Sequence, residues 1–151
     1  MGSFRSIVCG VDDTPQSMEA LRRAAALARA ESAKLTLFHA EPPPHGEALF
    51  APPGPLATVS APPPPEERWC ELASGIRGQP VELHYATGDA GHCLVEFARA
   101  GDADLIVLGS KARSAPAMAI GSVVAKVLVH APCPVLVVPC PPGTAFPAVS
   151  V

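Results

Sequence analysis

Positive charge, long apolar runs and paired cysteines are all scarce in this sequence. Lys and Arg number 11 against 14 Asp and Glu, a formal net charge of −3. That balance leaves no basic face for nucleic acid and no polybasic patch for a membrane surface. No apolar run approaches the length of a membrane span, and Arg5, Asp12 and Asp13 interrupt any apolar start. We therefore expect a cytoplasmic protein without a signal peptide that binds neither nucleic acid nor membrane.

The cysteines and histidines form no recognisable metal or redox motif. The five cysteines are odd in number and irregularly spaced, and no two stand as Cys-x-x-Cys. This spacing argues against a disulfide framework, a zinc ribbon and a thioredoxin-type motif. The five histidines are scattered as well. We expect no metal-binding cluster, and reduced cysteines that pack as small apolar side chains.

Catalytic signatures are missing too. The sequence contains no Gly-x-Ser-x-Gly nucleophile elbow and no Gly-x4-Gly-Lys-[Ser/Thr] phosphate loop. No pair of carboxylates is arranged for general acid and base chemistry. We therefore expect a binding protein rather than an enzyme.

Proline, in contrast, is abundant, with 19 residues. The stretches "PPP", "APPGP" and "APPPP" crowd together, and proline at that density does not fit inside a helix or sheet. We predict a long loop over about residues 41–65 and a flexible tail at 141–151. The remainder of residues 1–140 can bury one core and is predicted to form a single domain.

Apolar runs alternate with segments of helical periodicity along the chain. Strands are predicted at residues 7–11, 35–40, 81–86, 104–109 and 134–139, and the first of them is a short continuous apolar run typical of a fully buried strand. Helices are predicted after Thr14-Pro15, around 69–76, after Gly88-Asp89, and over 121–130. In the first helix, Met18, Leu21, Ala25 and Ala28 form the predicted buried stripe. This alternation predicts an α/β fold, an open five-stranded parallel sheet with helices on both faces, Rossmann-like in type.

Polar residues follow two of the predicted strands directly. Val11-Asp12-Asp13-Thr14 follows the first strand, and Gly109-Ser110-Lys111 follows the fourth. Ligands of such sheets bind beyond the carboxyl ends of the strands, where the strand order reverses. If the first and fourth strands are neighbours, these two loops face each other across one crevice.

The loop at residues 109–123, "GSKARSAPAMAIGSV", has the composition of a phosphate site. Glycines at its two ends allow backbone N–H groups to approach phosphate oxygens. The N–H groups of Ser122 and Val123 open a helix, where unpaired donors and the positive dipole end favour an anion. Lys111 and Arg113 either add charge to this site or are solvated side chains.

Three segments together resemble the universal stress protein family: "IVCGVDDTPQSMEALRRAAALARAESAKLTLFHAEPP", "GDAGHCLVEFARAGDADLIVLGS" and "GSVVAKVLVHAPCPVLVVP". The resemblance covers nearly the whole chain apart from the proline-rich insert and the tail. It implies the sheet order 3-2-1-4-5. It also implies a homodimer paired through the last strand, by Val135, Leu136, Val137 and Val138. In one branch of the family it implies ATP, with or without magnesium, bound in the crevice.

The ATP-binding branch has the loop pattern Gly-x2-Gly-x9-Gly-[Ser/Thr]. Gly109 matches its first glycine, and Gly121 with Ser122 matches its closing pair. Ala112 replaces the second glycine, and eight residues rather than nine precede Gly121. Alanine at a position of positive φ costs on the order of 1 kcal/mol, which weakens binding roughly tenfold. We therefore expect weak ATP binding. The alternative is a nucleotide-free dimeric stress-response scaffold that acts through protein–protein contacts.

The resemblance places Asp12 beside the nucleotide, where its carboxylate accepts hydrogen bonds from ribose hydroxyls. The alternative role of Asp12 is to cap the first helix. Val11 and Ala40 are either apolar neighbours of the adenine or core residues, and an Asp12-Asp13 pair offers oxygens to magnesium beside phosphates. Slow hydrolysis of bound ATP is left open. The predicted binding residues are Val11, Asp12, Asp13, Ala40, Gly109, Ser110, Lys111, Arg113, Gly121, Ser122 and Val123.

Overall fold

The structure is a computed structural model that describes residues 3–12, 14–41, 80–110 and 120–139. Within these ranges, five strands and three helices follow one another as β1 Ser6–Gly10, α1 Pro15–Glu31, β2 Lys34–Glu41, β3 Val81–Thr87, α2 Ala90–Ala100, β4 Leu105–Ser110, α3 Ser122–His130 and β5 Val135–Pro139. The helix predicted around 69–76 and the tail at 141–151 lie outside the described residues. So does the proline-rich insert, except that β2 extends to Glu41, which pairs with Thr87.

The five strands form one parallel sheet in the order β3-β2-β1-β4-β5. This confirms the predicted order, and it makes β1 and β4 neighbours. Their register pairs Val8 with Ile106 and Cys9 with Val107. The strand order therefore reverses between β1 and β4, at the point where the crevice was expected.

Helices cover both faces of the sheet, as predicted. Ile7, Cys9 and Leu37 pack on the face that carries α1. Val8 and Ile106 pack on the opposite face, against α2 and α3. Burial on both faces explains why these strands appear in the sequence as continuous apolar runs rather than as alternating patterns.

Helix α1 begins as the sequence predicts, and its buried stripe agrees with the prediction in part. Thr14 is its N-cap, with Oγ1 accepting from the Ser17 N–H, and Pro15 is in the first turn. The buried residues of the helix are Ser17, Glu19, Ala20, Leu21, Ala24 and Ala28. Of the predicted stripe, Leu21 and Ala28 are buried, Ala25 is half-buried against the core, and Met18 is half-buried. The helix is rich in alanine, so its apolar periodicity is weak, and small side chains at 20, 24 and 28 allow it to lie close to the sheet.

The described part of the chain contains three helices. None of its helices combines the length and the apolar character needed to cross a membrane. In the same residues, no group of three or more His, Cys, Asp or Glu side chains is placed to hold a metal ion.

Candidate functional site

A cavity of about 570 Å³ lies at the carboxyl ends of β1 and β4. The ends of β1, β2 and β4 form its floor, and the first turns of all three described helices contribute to its walls. Ligand sites of open α/β sheets occur at this place, and the volume lies within the usual range of small-molecule sites. The lining residues are Gly10, Val11, Asp12, Thr14, Gln16, Ser17, Phe38, His39, Ala40, Ala90, Leu94, Leu108, Gly109, Ile120, Gly121, Ser122, Val123 and Val124.

The structure brings most of the predicted site residues together around this cavity. Those that line it are Val11, Asp12, Ala40, Gly109, Gly121, Ser122 and Val123. Ser110 ends β4 but is not among the lining residues. Asp13, Lys111 and Arg113 lie outside the described residues, as does Ala112.

The start of α3 forms the polar wall opposite β1. Gly121 is the N-cap of this helix, and no described side chain caps it. The Ala125 N–H donates to the Gly121 carbonyl oxygen at 3.0 Å. The N–H groups of Ser122, Val123 and Val124 therefore precede the first intrahelical hydrogen bond. Together with the positive end of the helix dipole, these donors can bind an anion.

Gly121 is required here for its conformation. Its φ is +96° and its ψ is 143°, a combination that residues with a side chain rarely adopt. The sequence indicated a glycine that leaves space for a phosphate. The structure adds that only glycine turns the chain into α3 at this point without strain.

The turn between β1 and α1 settles the open question of the helix cap. Asp12 does not cap α1 itself, because Thr14 does. Asp12 Oδ1 instead accepts from the Thr14 N–H at 2.8 Å and from the Thr14 hydroxyl. Asp12 Oδ2 accepts no hydrogen bond from any described residue. Within the described part of the chain, one carboxylate oxygen of this exposed side chain therefore remains for a ligand.

His39 holds the neighbouring residue Val11 in place. Its Nδ1 lies 2.7 Å from the Val11 carbonyl oxygen. Because a carbonyl oxygen can only accept, Nδ1 must carry the proton. The Val11 N–H donates to the Phe38 carbonyl oxygen at 2.8 Å. Both backbone polar groups of Val11 are thus fixed at the edge of the cavity.

The rest of the cavity is apolar. Phe38, Leu94, Leu108 and Val124 are buried, with no more than 5% of each exposed. Ala40 and Ala90 add small side chains beside them. A flat apolar ring system fits such a surface, as in most small-molecule sites.

Sequence reasoning missed much of this lining because it followed the two polar loops. Gln16, Ser17, Ala90 and Leu94 were not singled out as site residues, although all four line the cavity. One signal was available in the sequence. Residues in the first turn of a helix that follows a parallel strand lie at the same edge of the sheet as the strand ends.

The sheet is doubly wound, and its cavity lies at the switch point where the strand order reverses between β1 and β4. Among α/β proteins with such open sheets, this is the place where ligands bind. The model of the universal stress protein family matches residues 3–139, and the chain belongs to this family. A search of curated proteins gave no match.

Solved structures share the fold over almost their whole length. The universal stress protein UspA from Lactobacillus plantarum is 20% identical, with a TM-score of 0.70 over 91% of this chain and 99% of that one. A universal stress protein in complex with cAMP is 27% identical, with a TM-score of 0.69 over 91% and 98%. The universal stress protein from Archaeoglobus fulgidus in complex with dAMP is 24% identical, with a TM-score of 0.63 over 91% and 99%.

Proposed function

We propose that this protein binds an adenine nucleotide in the cavity between the ends of β1 and β4. One observation carries the proposal. The start of α3, which no described side chain caps, lines the same cavity of about 570 Å³ as the apolar surface beside Ala40. Such a site combines anion-binding donors with room for a flat base. The similar universal stress proteins in complex with cAMP and dAMP support this choice of ligand.

Each part of the nucleotide has a matching part of the cavity. The phosphate oxygens accept hydrogen bonds from the N–H groups of Ser122 and Val123 and from the Ser122 hydroxyl. The base packs on the apolar surface that includes Val11 and Ala40. The ribose lies between them, where Asp12 Oδ2 accepts from its hydroxyls.

The nucleotide that we propose is ATP, bound weakly and accompanied by magnesium at its phosphates. The helix-start half of the loop is intact in the structure. The expected weakness comes from Ala112 and the short spacer, which the sequence indicates. Lys111 and Arg113 supply positive charge to the triphosphate in this proposal. Their contribution remains a prediction from the sequence.

Binding without catalysis is part of the same proposal. Among the described residues that line the cavity, Asp12 is the only carboxylate. Catalysis of phosphoryl transfer depends mainly on positioning and charge stabilisation rather than on a carboxylate pair, so slow hydrolysis of bound ATP stays open within this proposal. A protein that binds and releases nucleotide can report its level to partners in a stress response.

Two measurements test the proposal directly. Nucleotide released from freshly purified, denatured protein is identified by mass. The purified protein is then titrated calorimetrically with ATP and magnesium, with AMP, with cAMP, and with GTP as the control for the base. We expect heat with the adenine nucleotides, saturating in the micromolar to millimolar range. If the protein releases no nucleotide and no adenine nucleotide gives heat at millimolar concentration, the proposal is wrong.

A second proposal rests on β5, which has a neighbour on one side only among the described strands. Strand β5 lies at the end of the strand order. Its Leu136 is 40% exposed, and Leu128 and Val129 on α3 are 47% and 76% exposed. An unpaired apolar edge invites pairing with another chain. We propose that β5 of a second copy covers this edge in a two-fold homodimer. The same dimer would be the scaffold of the alternative function, in which the cavity holds no nucleotide.

A further inference from the structure

Three residues close a ring of hydrogen bonds on the cavity wall between β1 and α1. The Thr14 N–H and hydroxyl both donate to Asp12 Oδ1, the former at 2.8 Å. The Ser17 N–H donates to Thr14 Oγ1 at 3.3 Å. The Asp12 N–H donates to Ser17 Oγ at 2.8 Å, which closes the ring. All three residues line the cavity.

The ring fixes an otherwise exposed carboxylate. Asp12 is exposed, and an exposed aspartate ordinarily samples several side-chain rotamers. Here its backbone N–H is held by Ser17, of which only 5% is exposed. Its Oδ1 is held by two donors from Thr14. The orientation of the carboxylate is therefore set before any ligand arrives.

The two carboxylate oxygens of Asp12 differ in their hydrogen-bond partners. Oδ1 is occupied by Thr14, and Oδ2 accepts no hydrogen bond from any described residue. An ionised carboxylate only accepts hydrogen bonds. At this place in the cavity it therefore favours a hydroxyl donor of the ligand and repels a phosphate oxygen.

We infer that Thr14 is a positioning residue for nucleotide binding, which orients Asp12 so that Oδ2 receives a sugar hydroxyl. The inference rests on the proposed nucleotide function. It assigns the ligand class more narrowly, as a nucleotide whose ribose keeps a free hydroxyl. It also gives Thr14 a role besides capping α1.

The test compares ATP with 2′,3′-dideoxy-ATP, by calorimetry on the full chain. Wild type is compared with Thr14→Gly and Thr14→Ser. Glycine is tolerated at an N-cap with only a small loss of stability, so Thr14→Gly removes the hydroxyl but keeps the helix. Serine keeps the hydroxyl and serves as the matched control. Thermal unfolding of each variant reports any loss of fold separately.

We expect wild type to bind ATP about tenfold more tightly than the dideoxy analogue, the size of one charge-assisted hydrogen bond. In Thr14→Gly the ratio should fall to about threefold or less, and in Thr14→Ser it should stay near the wild-type value. A change of this ratio is specific to the sugar. A general loosening of the protein would weaken both nucleotides alike.

The remaining outcomes separate the inference from the function on which it rests. If wild type binds both nucleotides equally, or Thr14→Gly keeps the wild-type ratio, the inference is wrong while nucleotide binding stands. If wild type binds neither nucleotide, the proposed function fails first.

Discussion

Lys126 Nζ in α3 lies 2.7 Å from Asp89 Oδ2 at the start of α2. The other oxygen, Asp89 Oδ1, accepts from the His92 N–H at 2.8 Å and so caps α2. The aliphatic stem of Lys126 passes over Gly91, where an added methyl group would lie 3.0 Å from the Lys126 Cδ. One aspartate therefore caps one helix and ties it to the next. Because both helices line the cavity, this exposed ion pair joins two of its walls.

The Asp89–Lys126 pair predicts a loss of stability in acid. The hydrogen bond from the Lys126 ammonium, followed by that from the His92 N–H, holds the pKa of Asp89 below its ordinary value. The pair's stabilisation is therefore complete above the pKa of an unfolded aspartate, about 3.9. It is lost as pH falls through the lower pKa of the folded state.

Asp89→Asn is the matched comparison, since asparagine still caps a helix but carries no charge. Urea unfolding of both proteins is measured at a series of pH values from neutral into acid. We expect the advantage of wild type over Asp89→Asn to shrink as the pH falls below about 4. High salt should reduce the same advantage at neutral pH. An advantage that does not change with pH would contradict the assignment.

A single methyl group added at Gly109 should lower the stability of the fold. An added Cβ would overlap the carbonyl group of Gln16 and lie 2.9 Å from the Ser17 nitrogen, both in the first turn of α1. Gly109→Ala should therefore push α1 away from β4 and destabilise the fold by about 1–3 kcal/mol, the usual cost of overpacking.

The control for Gly109→Ala is Gly101→Ala. Gly101 follows α2 with a negative φ of −93°, and an added Cβ there would lie 3.2 Å from the Phe97 carbonyl oxygen, a tight contact but a much looser one than at Gly109. Unfolding in urea, followed by circular dichroism, measures both variants against wild type. Equal stability of Gly109→Ala and wild type would show that the helix yields without cost.

Gly109 and Gly121, the two glycines of the 109–123 loop, show which structural roles the sequence could not predict. Gly109 and Gly121 were both predicted to leave room for phosphate. The structure shows that Gly109 accommodates the α1 backbone and that Gly121 provides a positive φ. Neither reason is visible in a sequence, because one depends on a contact with a distant helix and the other on a backbone angle.

The strands and the helix caps were easier to predict than the cavity. Buried parallel strands appear as continuous apolar runs, and Thr14 and Asp89 occupy the predicted starts of their helices. The inward face of α1 was partly wrong, because alanine gives little contrast between faces. Which side chains of α2 meet the ends of β1 and β2 is decided by helix packing across the sheet, which local patterns do not encode.

A comparison of Gly121 with Gly88 separates effects on stability from effects on ATP binding. Gly121→Ala should lose both stability and ATP affinity, because its φ of +96° strains any side chain and the shifted α3 start misplaces its N–H donors. Gly88 has a φ of +137° but does not line the cavity. Gly88→Ala should therefore lose stability while keeping ATP affinity. Thermal unfolding and calorimetry on both variants decide the matter, and equal loss of affinity in the two would refute the role of the α3 start.

The last prediction concerns the edge of the sheet. Leu136 in β5 is 40% exposed, and we expect the second copy to bury it in the homodimer. Leu136→Lys would place a charge in that interface without a partner, which is strongly unfavourable. The variant should therefore be monomeric or insoluble. Tyr85→Lys on the opposite edge strand, where Tyr85 is 37% exposed, is the control and should remain dimeric. Light scattering at micromolar protein gives the mass of each, and a monomeric wild type would exclude pairing through β5.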